Sequence, residues 1–121
     1  MDKTILIAED EAPIAKLVQF KLEKKGYKII HKNNGKDALE AIKSEKPDLI
    51  LLDVMMPYLT GFEVLKEIKS NLETKDIPVI MLTAMGKEAD AVKGFDFGVI
   101  DYIRKPFNYA ELVSRINRVF K

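Results

Sequence analysis

The chain has 121 residues, 47% hydrophobic and 32% charged, the profile of a single globular domain with enough length to bury a core. Lysine and arginine number 20 against 19 acids, and a net charge of +1 gives no electrostatic basis for direct binding to nucleic acid or an anionic membrane. Without cysteine there is no disulfide, thiolate metal site or thiol nucleophile; with apolar runs too short to span a bilayer and Met1-Asp2-Lys3 leading straight into a strand, a cytoplasmic location is expected.

Thr4-Ile5-Leu6-Ile7-Ala8 reads as a short apolar strand, with Glu9-Asp10-Glu11 at its carboxyl end. Pro13 suits a first helical turn, and Ile14, Leu17, Val18 and Leu22 recur at helical spacing until Gly26. Tyr27 to Lys32 is a second strand, flanked by lysines and so expected at an edge, and Asn33-Asn34-Gly35 turns it into a helix carrying Ala38, Leu39 and Ile42. The third strand, Leu49-Ile50-Leu51-Leu52-Asp53, is apolar on both faces as a central parallel strand must be, and it ends on a carboxylate.

After Pro57, Thr60 is an expected N-cap for a helix with Phe62, Leu65, Ile68 and Leu72 on one face. Ile77 to Thr83 is a fourth strand ending in a hydroxyl, followed by a helix about Lys87 to Phe97 that Gly94 weakens by about 1 kcal/mol relative to alanine. Asp101 to Arg104 is a short fifth strand ending at Lys105-Pro106. A last helix from about Tyr109 carries Leu112, Val113, Ile116, Val119 and Phe120. Five strands alternating with five helices predict an α/β, doubly wound, five-stranded parallel sheet of flavodoxin-like (β/α)5 type with strand order 2-1-3-4-5, residues 1–121 forming one domain.

That order sets the first and third strands side by side at the switch point, where ligands bind in open α/β sheets, and brings Glu9, Asp10 and Asp53 together. Carboxylates about 4 Å apart repel by roughly 4 kcal/mol per pair at an effective dielectric near 20, so the cluster calls for a cation. Oxygen-only donors favour a hard divalent ion, and Mg²⁺ typically takes one or two carboxylates plus phosphate oxygens. With Thr83 and Lys105 delivered to the same rim, Asp53 is the candidate nucleophile of a phosphoryl-handling site.

The whole chain resembles a response-regulator receiver domain, the phosphoacceptor half of two-component signalling. The residues that carry the resemblance are Glu9-Asp10 after the first strand, Asp53 with Met56-Pro57 and Gly61 after the third, Thr83-Ala84 after the fourth, and Lys105-Pro106-Phe107 after the fifth. The resemblance implies that Asp53 accepts phosphate from a sensor histidine kinase or phosphotransfer protein. It also implies Mg²⁺, with Mn²⁺ as substitute, on Asp10, Asp53 and the Met55 backbone carbonyl, with Glu9 acting through water. Lys105 would pair with the phosphoryl oxygens, Thr83 and Ala84 would bind one of them, and Tyr102 would turn inward as Thr83 moves, signalling to an output domain or downstream protein. The chain departs from the family pattern at Phe97 and Ile100, where a small residue and an acid are common; neither position belongs to the phosphoryl site.

Two further expectations follow from the resemblance. In receivers attached to winged-helix transcription factors, positions matching Lys93 with Glu111, and Asp101 with Arg115, pair across a two-fold dimer around an apolar patch that here includes Phe95 and Val113; a phosphorylation-dependent homodimer is the corresponding expectation. Met55 and Met85 occupy the places best suited to orient the water that hydrolyses the aspartyl phosphate. A thioether is a weak acceptor and no donor, so a long-lived phosphoryl state is expected. Among rival readings, a flavin or nucleotide binder would need a Gly- or Ser/Thr-rich loop where Glu9-Asp10-Glu11 stands. A haloacid-dehalogenase-type phosphatase needs a second Asp at position 55, which is Met, and a receiver that works without phosphate would not need the acceptor, metal and ammonium positions filled. His31 reads as a structural or surface residue.

Overall fold

Five strands, β1 (Thr4–Ala8), β2 (Lys28–Lys32), β3 (Leu49–Asp53), β4 (Val79–Ala84) and β5 (Asp101–Lys105), form one parallel sheet in the order β2-β1-β3-β4-β5, as the sequence predicts. The computed structural model describes residues 2–84 and 98–121, and among these the helices are α1 (Ala12–Lys24), α2 (Gly35–Glu45), α3 (Gly61–Ser70) and α4 (Tyr109–Val119). The helix expected about Lys87 to Phe97 lies outside the described residues, and so do Met85, Lys93 and Phe95.

Alternation along β3 divides the core. Ile50 and Leu52 pack with Ala38 and Ile42 of α2 and Val64 and Leu65 of α3; Leu49 and Leu51 pack with Val18 and Leu22 of α1 and Leu112 and Ile116 of α4. Each aliphatic side chain fully buried this way contributes about 1.5 to 3 kcal/mol. That is why the most apolar strand lies at the centre, with β1 on one side (Ile7 beside Leu51) and β4 on the other (Ile80 beside Leu51). β2, whose one buried side chain is Ile29, takes the edge.

Helix starts follow their caps. Asn34 accepts from the Asp37 amide at 2.8 Å at α2, and Asn108 from the Glu111 amide at 2.7 Å at α4. At α3 Thr60 and Glu63 form a reciprocal capping box, satisfying two otherwise unpaired amides. Three sequence expectations shift. Leu72 does not share the buried face of α3 but is 82% exposed, because the helix ends at Ser70, where the buried Thr74 hydroxyl donates to the Ile68 carbonyl at 2.7 Å and Asn71 turns extended. β4 begins at Val79 rather than Ile77: Pro78 has no N–H, so it joins the ladder only through its carbonyl, which accepts from Ile50 at 3.0 Å. Leu17 of α1 is exposed beside an exposed Phe20, leaving Ala15, Val18 and Leu22 as the buried side.

Candidate functional site

The adjacency of β1 and β3 puts Glu9, Asp10 and Asp53 at one rim, with carboxylate oxygens from the three all within 4.8 Å of one another. Glu9 is fully buried and Asp53 is 5% exposed, whereas Asp10 faces solvent. Two strands away, β5 delivers Lys105, whose Nζ lies 3.1 Å from Asp53 Oδ2, 2.6 Å from Glu9 Oε1 and 3.7 Å from the exposed Glu11. The chain leaving Asp53 is pressed against it. A side chain at Gly61 would put its Cβ 2.3 Å from the Asp53 carbonyl oxygen, and the Gly61 amide donates to Val54 at 2.8 Å, so only glycine permits this return.

The electrostatics are unbalanced. Burial first, and then the charge of Glu9, push the Asp53 carboxyl up from 3.8 to about 7, with Lys105 pulling the other way. Burial works to lower the Lys105 ammonium, but the hydrogen bond to Glu9 and the charges of Asp53 and Glu9 outweigh it and hold its pKa above the ordinary lysine value. Glu9 Oε1 is buried, and the Lys105 ammonium approaches it at 2.6 Å. A buried carboxylate beside two further carboxylates, with no nitrogen or sulfur donor joining the group among the described residues, suits a hard divalent cation such as Mg²⁺.

The sequence pattern of the response regulator receiver domain matches residues 5–117. The chain is a response-regulator receiver domain. It is 45% identical over 119 residues, 98% of its length, to the phosphate regulon transcriptional regulatory protein PhoB of Pseudomonas aeruginosa, and it spans 52% of that relative, about half. Among solved structures it is similar to the receiver domain of the Francisella response regulator 1452, with TM-score 0.89 and 34% identity over 98% of this chain and 96% of that one. It is also similar to the chemotaxis response regulator CheY4 of Vibrio cholerae, with TM-score 0.92 and 29% identity over 98% and 99%. Receiver domains serve phosphorylation-dependent control of an output, and the fold and the acidic rim here are those of the family.

Other residues named from the sequence take definite places in this receiver domain. Thr83 is buried near the end of β4, Ala84 follows it opposite Lys105 in the β4–β5 register, and Tyr102 is partly buried against the α2–α3 side of the core. Met55, in the turn after β3, exposes 68% of its surface. Asp101 and Arg115, expected to pair between two copies, pair within one chain, and the same guanidinium lies 3.6 Å from Glu111. Partly buried Val113 packs on the α1–α4 side of the core. Two features carried no signal in the sequence. His31 Nε2 donates to the Glu9 carbonyl at 2.9 Å, a contact across 22 residues that only strand pairing could reveal. Tyr58 adopts φ +71 at the centre of a three-residue turn in which the Leu59 amide donates to the Pro57 carbonyl.

Proposed function

We propose that this receiver domain takes a phosphoryl group onto Asp53 from a sensor histidine kinase or phosphotransfer protein. Mg²⁺, or Mn²⁺ in its place, would be held by Asp10, Asp53 and the Met55 backbone carbonyl, and by Glu9 through water. The observation that carries this reading is the buried Asp53 carboxylate sharing the Lys105 ammonium with Glu9 within a cluster of three acids. When bound, the ion neutralises the acids and the charge on the phosphoryl oxygens. The ionised Asp53 oxygen attacks phosphorus as the bond to the donor's imidazole nitrogen breaks, and the imidazole leaves with the electron pair. Lys105, 3.1 Å from the attacking carboxylate, pairs with the arriving oxygens. Thr83 and Ala84 at the end of β4 bind one of them, and Tyr102 follows Thr83 inward.

The name of the Pseudomonas relative describes a transcriptional regulator twice as long, and an output of that kind in a longer protein is part of this reading. The switch would reach the output domain, or a second copy, through the surface of Asp101, Glu111, Val113 and Arg115 together with Lys93 and Phe95. The exposed thioether of Met55, with Met85, supports slow loss of the phosphoryl group. The test is intact-protein mass spectrometry after incubation with Mg²⁺ and a small phosphodonor. One phosphoryl group is expected on the wild type and none on Asp53→Asn or in excess chelator. Label that persists in either control overturns the assignment.

A further inference from the structure

The Asp10 carboxylate makes no hydrogen bond or ion pair among the described residues, so the backbone that launches it determines where it points. That backbone is gripped one residue earlier. The Glu9 amide donates to the Lys32 carbonyl at 3.0 Å, and Glu9 Oε2 accepts from the Glu11 amide at 3.1 Å. The Glu9 carbonyl, which belongs to the peptide group leading into Asp10, is held among the described residues by one side chain, His31 on β2, at 2.9 Å.

We propose that His31 is a positioning residue of the cation pocket, fixing the Glu9–Asp10 peptide plane and thereby the direction of Asp10. This rests on the reading of Asp10 as a metal ligand. A trans peptide is planar, with its carbonyl and its N–H on opposite sides. Tying the Glu9 carbonyl to β2 therefore turns the Asp10 amide away from β2 and sets the start of the Asp10 side chain. The carbonyl oxygen only accepts, so Nε2 must carry a proton. The neutral Nε2–H tautomer and the imidazolium both supply it, and the hold does not depend on the charge of the ring. His31 is no ligand itself: its Nε2 is engaged by the carbonyl, and the ring lies outside the group of donors that converge with Asp10. A pocket whose ligand is aimed in advance loses less ordering freedom when the cation enters, which is what an orienting hydrogen bond behind a ligand contributes.

Three substitutions separate this role from plain packing. His31→Phe keeps the ring and removes the donor; His31→Gln places an amide nitrogen near the position of Nε2; His31→Asn places one near Nδ1. Mg²⁺ affinity is measured by calorimetric titration, metal-free stability by thermal melting, and the Asp10 amide resonance by NMR of the metal-free protein. His31→Phe and His31→Asn are expected to bind Mg²⁺ about two- to tenfold more weakly than wild type, with the Asp10 resonance displaced, while His31→Gln returns both towards the wild-type values. Wild-type affinity in His31→Phe, even with a lowered melting temperature, overturns the proposal, as does a Gln variant no better than Asn. If His31→Phe does not fold, the Gln and Asn pair decides by the same criterion. A wild-type protein that binds no Mg²⁺ overturns the metal reading itself and the proposal with it, an outcome distinct from a wild type that binds and a Phe variant that binds equally well.

Discussion

Where the strands begin, polar side chains are paired. The buried Thr74 hydroxyl closes α3 on the Ile68 carbonyl, Lys69 donates to the carbonyls of Lys75 and Ile77 at 3.0 and 3.4 Å, and Asp48 accepts from the Thr4 amide at 2.8 Å. Where the same strands finish, Glu9 and Asp53 crowd one ammonium, the Asp53 carboxyl is held at about 7, and Asp10 has no partner among the described residues. One end satisfies its polar groups and so stabilises the fold. The other retains unfavourable electrostatics that an arriving cation and phosphoryl group relieve, which is why local rules of stability fail there.

The contrast can be broken at its strongest point by Lys105→Ala. Removing the cation that both buried acids share among the described residues is expected to cost about 3 kcal/mol in metal-free urea denaturation, with part of the loss restored by Mg²⁺. A cost no larger than that of a surface substitution would mean that the rim is already screened.

Asp53→Asn acts in the opposite direction. Because the folded Asp53 retains its proton between its ordinary value of 3.8 and about 7 while the unfolded chain has released it, this group makes metal-free stability fall as pH rises through that window. The amide removes the slope. The variant is expected to match wild type at about pH 4 and to exceed it by about 1 to 2 kcal/mol at about pH 8, read from denaturation at both values. A variant less stable than wild type at the higher pH would show that the carboxylate is comfortable in its pocket.

The smallest effect belongs to the other end. Thr74→Val should cost about 1 kcal/mol at every pH and leave Mg²⁺ affinity unchanged. Altered affinity in that variant would show that the two ends are coupled through α3.

The architecture was legible because β1, β3 and β4 are short apolar runs and helix starts carry local signals, Pro13 at α1, Asn34-Gly35 at α2 and, at α3, Thr60-Gly61-Phe62-Glu63, which announces its capping box directly. The rim was legible for the same reason: the parallel order alone sends residues 9, 10, 53, 83 and 105 to one edge. What depended on side-chain reach was not. The apolar spacing of α3 continues through Leu72 although the helix has already ended, because nothing local reports that Thr74 folds back on Ile68. The ion pair between Glu9 and Lys105 joins residues nearly a hundred positions apart, and no local pattern marks it. His31 reads as structural or surface in the sequence, and its particular partner stayed hidden because that partner is a carbonyl, which every residue has and no sequence pattern marks.

The ion pair between Arg115 and Asp101 within one chain bears on how two copies could recognise each other. If they met across this surface, each guanidinium would exchange a carboxylate of its own chain for one of its neighbour, and the number of charge pairs would stay the same. Such an exchange contributes little Coulomb energy to association, so added salt would move the equilibrium only slightly, and the drive would come from apolar area, with the negative heat-capacity change that its burial brings. The charges would then act as a register key: a misaligned encounter leaves them facing like charge or without a partner, while the aligned one merely returns what each chain already had.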